Sequence, residues 1–121
     1  MHLQAGRDDA RRRLLIKADE VRADLAASDR ELGHIMSARA DSAAADDEHD
    51  PEGSTVTSDW SLVAGMRADA LEQQTEIAAA IARLDAGTYG ICLSCQRQIS
   101  KERLEARPAA SLCIGCARVR E

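Results

Sequence analysis

Apolar positions in the first third of the chain recur at alternating steps of three and four residues. Leu14, Val21, Ser28 and Ile35 share one heptad position, and Ala18, Leu25 and Leu32 share the other. Side chains at that spacing line one face of an α-helix, so the pattern predicts a long helix with a narrow apolar seam, interrupted once by Ser28. From about Arg7 to Ala45 there is no proline and a single interior glycine, Gly33. A helix of roughly 37 residues would be about 55 Å long. The pattern breaks at Asp46-Asp-Glu-His-Asp-Pro-Glu-Gly53. Pro51 disfavours helix at Asp50, and Gly53 offers a permissive turn position. Ser54, Thr55, Thr57 and Ser58 all offer N-cap oxygens for a following helix, and Asp59 would complement its dipole. That second helix is expected to run to about Ala86. Trp60, Arg67, Gln74 and Ile81 form one of its heptad sets, and Val63, Ala70, Ile77 and Leu84 the other. Gly87 is placed to cap its C-terminus. Two helices of similar length joined by a short turn pack most simply as an antiparallel coiled-coil hairpin. The expected hairpin covers residues 1–86, with 46–53 as its tip.

Composition changes this picture little. Of 121 residues, 45 % are apolar, but 23 are alanine, Phe is absent, and Trp and Tyr occur once each. Leu, Ile and Val together number 22. Large side chains bury the most area, so this inventory suits Ala-rich helices and is thin for a globular core. An all-α dominated fold is expected. A β-sandwich, a doubly wound α/β domain and a large catalytic cavity are not. No stretch approaches the roughly 20 apolar residues that span a bilayer. The charged stretch Met1 to Glu20 has no signal-peptide core. The expected location is cytoplasmic, with no membrane partner.

The net charge of −5 is unevenly spread: +1 over residues 1–40, −7 over 41–60, −2 over 61–86 and +3 over 87–121. The acidic pole falls on the expected tip, where Asp46, Asp47, Glu48, Asp50 and Glu52 are the candidates for contact with a bound Mg²⁺ or with basic residues of a partner. His49 reads as an exposed turn residue. Non-specific DNA coats need clustered Lys and Arg, which an acidic chain lacks.

The chemistry sits after the hairpin, in residues 87–121. Cys92-Leu-Ser-Cys95 is followed, after 17 residues, by Cys113-Ile-Gly-Cys116. Each CxxC turn presents two thiolates to one metal, and two turns complete a tetrahedron. The spacing fits a zinc ribbon or a treble-clef-like finger. One Zn²⁺ held by Cys92, Cys95, Cys113 and Cys116 would fold a stretch too short for a core of its own. Disulfides do not suit a cytosolic chain, and a redox CxxC needs a βαβ setting that is absent. Four thiolates also serve iron–sulfur clusters, which is the lesser reading. With every position filled by protein, no place remains for substrate or activated water, so the zinc reads as structural.

The stretch Thr88-Tyr-Gly-Ile-Cys-Leu-Ser-Cys95, with Ile99 and Arg103-Leu-Glu-Ala-Arg-Pro-Ala-Ala-Ser-Leu-Cys113-Ile-Gly-Cys116, resembles the C4 zinc finger of the DksA/TraR family. The resemblance is dense over 88–116 and weaker over the hairpin. It implies a transcription regulator that binds RNA polymerase rather than DNA. Finger and hairpin base would dock at the rim of the secondary channel, and the acidic tip would approach the catalytic centre. Arg103 and Arg107 become candidates for finger docking. Two departures stand out. The family tip carries two aspartates three apart and an alanine two residues on; here Asp50 takes the first place, and Gly53 and Thr55 the others. The family's ppGpp site uses basic residues; Arg107 matches one, but Glu76 and Ala117 stand at two others. No response to ppGpp through that site is expected.

Two other classes compete. A DNA-binding zinc ribbon would use Arg97, Lys101, Arg103, Arg107, Arg118 and Arg120 on phosphates, but lacks aromatics for base stacking. A coiled-coil adaptor would pair its seam with another chain. An enzyme is not expected. There is no Ser/His/Asp set and no Gly-rich phosphate loop, and His2, His34 and His49 are the only histidines.

Overall fold

The computed structural model describes the backbone of residues 2–45 and 52–120 and the side chains of residues 6–41 and 58–120. Four helices form there: α1, His2–Ala45; α2, Glu52–Ala86; α3, Lys101–Ala106; and α4, Ile114–Arg120. Among the described residues no strand occurs; one isolated antiparallel bridge joins Ile91 and Gln98. The fold is a helical hairpin followed by a small cysteine-bearing module. The chain divides into two compact units, Glu20–Glu72 and Met1–Asp19 with Gln73–Glu121.

In the unit Glu20–Glu72, Val21 and Ala70 are buried. Leu25, Ser28, Leu32 and Ile35 of α1 and Trp60, Val63 and Arg67 of α2 are half-buried. Arg67 Nε donates to Asp29 Oδ1 at 2.6 Å. In the other unit, Ala10 and Leu14 of α1 and Ile77, Ala80 and Leu84 of α2 are buried. There Arg11 Nη2 donates to Asp85 Oδ1, also at 2.6 Å. Each ion pair links α1 to α2 within its own unit. Both ion pairs are solvent-exposed and worth at most about 1 kcal/mol each, so they report register more than they hold the helices together.

Between Leu14 and Asp41 the residues that escape full exposure are the seven seam positions expected on α1. On α2 the seam differs at four places, since Ala64 and Arg83, outside the expected sets, are half-buried. Gln74 is exposed, and Ala80, outside the expected sets, is fully buried. Ile77, Ala80 and Leu84 stand at i, i+3 and i+7, the stripe of a straight helix, and a side chain as small as Ala80 allows close approach there. The amide of Gln74 gains nothing from burial without a partner and stays in water.

The helix ends also differ. α1 begins at His2, five residues earlier than expected, because nothing in residues 2–6 stops a helix and extension costs little once it has nucleated. α2 begins at Glu52, directly after Pro51. Proline's fixed φ and missing N–H suit a helix start. Gly53 is therefore helical rather than a turn, Ser54, Thr55, Thr57 and Ser58 lie inside the helix rather than capping it, and Asp59 falls beyond the first turn. The side chains of Asp46, Asp47, Glu48, His49, Asp50 and Glu52 lie outside the described residues.

Candidate metal centre

The module begins where α2 ends. Gly87 takes φ +80, its N–H donates to Leu84 O at 3.2 Å, and Thr88 N–H donates to Arg83 O at 2.9 Å. This pair of bonds is a Schellman cap, and the left-handed residue it needs is the expected glycine. Tyr89 is then fixed by its hydroxyl, which donates to Pro108 O at 2.8 Å. Partial burial raises its pKa, opposed by the nearby Arg13 and Arg83.

Gly90, at φ +85, turns the chain into the Ile91–Gln98 bridge. Ile99 N–H donates to Gly90 O at 2.7 Å and Cys92 N–H to Arg97 O at 2.8 Å, closing the first cysteine turn. Gln96 reverses the chain at φ +60. Its N–H donates to Cys92 O at 2.9 Å, and its side chain donates to Leu93 O at 3.1 Å. Leu93 N–H reaches Ser111 O at 2.9 Å, tying the first cysteine turn to the arm that carries the second.

α3 holds that arm. Ser100 caps it by accepting from Arg103 N–H at 3.2 Å, and Arg103 Nε donates to Leu112 O at 2.8 Å. Pro108, Ser111 and Leu112 thus each have their carbonyl engaged, by Tyr89, Leu93 and Arg103. Cys113 sits just before α4, where Ala117 N–H donates to its carbonyl at 2.9 Å.

These connections bring the sulfurs of Cys92, Cys95, Cys113 and Cys116 within 4.8 Å of one another. Cys95 Sγ and Cys113 Sγ are 3.8 Å apart. A tetrahedron with Zn–S bonds of about 2.3 Å has S···S edges of about 3.8 Å, which the Cys95–Cys113 pair matches and the cluster of four approaches. A disulfide would need about 2.05 Å, and all four cysteines are free. The donor set is all sulfur, and it holds one structural Zn²⁺ with each corner supplied by protein.

The thiols are prepared unequally. Backbone N–H groups of Cys95 and Cys113 aimed at the Cys92 sulfur lower its pKa to about 6. The Cys116 N–H lowers that of Cys113. Cys116 is pushed up to about 12, chiefly by its hydrogen bond to Cys113. Bare thiolates crowd one another, and a divalent cation relieves that repulsion by taking all four deprotonated.

The two arginines singled out from the sequence have different surroundings. Arg103 is half-buried and bound to Leu112 O, so it shapes the module from within. Arg107 is exposed at the C-cap of α3. A cavity of about 430 Å³ lies beside them, lined by Lys17, Glu76, Ile77, Arg103, Arg107 and Ala117 among others. Glu76, Arg107 and Ala117, far apart in sequence, share this wall. No spacing rule in the sequence links Tyr89 to Pro108 or Arg103 to Leu112, and only the fold brings those pairs together.

A helical hairpin that ends in an all-cysteine structural zinc site defines the class of protein. Residues 87–121 match the family model described as prokaryotic dksA/traR C4-type zinc finger. The module is a zinc finger of the DksA/TraR family. The chain is 44 % identical over 46 residues to the RNA polymerase-binding transcription factor DksA of Haemophilus influenzae. That alignment takes in 38 % of this chain and only 32 % of the relative, about a third of its length. The fold is also that of transcription factor DksA2 from Pseudomonas aeruginosa, with a TM-score of 0.77 over 96 % of this chain and 83 % of that one, at 22 % identity.

Proposed function

We propose that the chain is a cytoplasmic, non-enzymatic transcription regulator that binds RNA polymerase at its secondary channel. The hairpin, residues 1–86, enters the channel, and the acidic segment 46–53 is directed at the active centre through Asp46, Asp47, Glu48, Asp50 and Glu52. The finger, residues 87–121, docks outside through Arg107, on a surface that Arg103 keeps in shape. The observation that carries this reading is the joining of a DksA/TraR-type finger to a DksA-like hairpin in one chain. The name of the Haemophilus relative supplies the partner. No described helix is long and apolar enough to cross a membrane, which agrees with that partner.

The cavity beside Arg107 bears on ppGpp. Lys17, Arg103 and Arg107 bring positive charge to its wall, Glu76 sets a carboxylate among them, and Ala117 offers no charge at all. A pyrophosphate would meet like charge at Glu76. We assign no ppGpp response to this cavity. A ppGpp-dependent gain in effect that Arg107→Ala removes would reverse the assignment.

The primary test is capture of purified core RNA polymerase by the zinc-loaded protein, at moderate salt and without DNA. Binding that an occupied secondary channel blocks supports the proposal. Absence of binding overturns it.

A further inference from the structure

The two cysteine turns carry the same six-residue pattern: Cys92-Leu-Ser-Cys95-Gln-Arg97 and Cys113-Ile-Gly-Cys116-Ala-Arg118. An aliphatic residue follows the first cysteine, and an arginine stands five residues after it. The metal needs the cysteines alone, so the repeated Leu/Ile and Arg positions ask for a separate account. Their exposure gives one. Leu93 is 60 % exposed and Ile114 is 53 % exposed, while Cys92 beside Leu93 is wholly buried. Arg97 and Arg118 are exposed too. All four flank cysteines whose sulfurs lie within 4.8 Å of one another.

Local bonds hold these side chains outward. The Cys92 N–H bond to Arg97 O sets Arg97 next to the turn that carries Leu93, and Leu93 is held at its backbone by Ser111 O. On α4, Ile114 and Arg118 are one turn apart on the same face. No acidic residue occurs in 87–101 or in 106–120; the carboxylates of the module are Glu102 and Glu105, on α3, and Glu121. Two exposed aliphatic side chains flanked by two exposed arginines complement an apolar patch rimmed by carboxylates, whereas a phosphate backbone would engage the arginines and leave Leu93 and Ile114 without a partner.

We propose that Leu93, Ile114, Arg97 and Arg118 form a docking face for an acidic-rimmed apolar patch on RNA polymerase, separate from the Arg107 side of the finger. This rests on the polymerase-binding reading above. The experiment measures the affinity of core RNA polymerase for the wild type and for three variants: Leu93→Asp with Ile114→Asp, Leu93→Ser with Ile114→Thr, and Arg97→Glu with Arg118→Glu. Each variant is first shown to hold one zinc per chain and wild-type helicity; the Ser/Thr pair replaces the Asp pair if the latter loses zinc. The expected result is at least a tenfold loss of affinity for the apolar pairs. The arginine pair is expected to lose affinity and to show a flatter dependence on salt. Wild-type affinity in a zinc-loaded apolar pair overturns the docking face while leaving polymerase binding intact. Failure of the wild type itself to bind overturns the polymerase reading and this inference with it.

Discussion

Single residues decide whether the module exists. With four sulfurs clustered within 4.8 Å and no fifth cysteine in the chain, removing one thiolate leaves an open corner that no neighbouring cysteine fills. Cys92→Ser is therefore expected to drop zinc content well below one per chain, measured by atomic emission after gel filtration. Far-UV circular dichroism should keep most of its helical signal, because α1 and α2, of 44 and 35 residues, contain no ligand. Retention of one zinc would mean that Cys92 is not a ligand. Arg103 and Arg107 separate in the same way. Arg103→Ala strips Leu112 O of its donor, and a charged donor lost to a half-buried carbonyl costs about 1–2 kcal/mol. Arg107→Ala removes an exposed side chain and should change stability by no more than about 0.5 kcal/mol. Thermal melts of the zinc-loaded proteins check both, and equal melting points would show that the Leu112 bond contributes nothing.

At the scale of elements, the helices stand on a thin seam. Leu14 is wholly buried, and Leu14→Ala should cost about 3 kcal/mol, a large share of the stability of a domain this size. Leu25→Asp with Ile77→Asp places two carboxylates in the seam, one in each compact unit, and should collapse the hairpin. Gln74→Ala, at an exposed position, should leave the melting curve unchanged; a loss there comparable to Leu14→Ala would restore Gln74 to the seam. These contrasts mark what was legible from the sequence. From Leu14 to Asp41 on α1 the heptad spacing alone picks out the seven residues that escape full exposure, while the buried Ala10 before them stands outside both sets. The cysteine pairs and Gly87 were legible for a related reason, since zinc geometry and a left-handed cap each accept few residue types. The burial of Ala80 was not, because alanine is common on both faces of these helices. The start of α2 was not either, since Pro51 signals a helix boundary without saying on which side of Gly53 the helix resumes. Arg103 reads as a surface cation in sequence, and only the fold brings it to Leu112 O.

For the whole molecule the deciding quantity is the distribution of charge. Seven carboxylates and no basic group fall within residues 41–60, while residues 87–121 carry a net +3. If the finger anchors the protein and the acidic segment acts at a distance from the anchor, the two functions are separable by mutation. Changing Asp46, Asp47, Glu48 and Asp50 to Ala moves the net charge from −5 to −1. Long-range attraction to a basic channel would weaken, and more so at low salt. The apolar and arginine contacts of the finger would be untouched. The variant is expected to bind core RNA polymerase within about threefold of wild type at physiological salt, where surface charges more than about 8 Å apart are largely screened. Its effect on multi-round transcription from a responsive promoter should vanish. Affinity and transcription must be measured on the same preparations, because only their divergence separates an effector segment from an anchor. A parallel loss of both would make the acidic segment the anchor, and the finger a brace for the base of the hairpin.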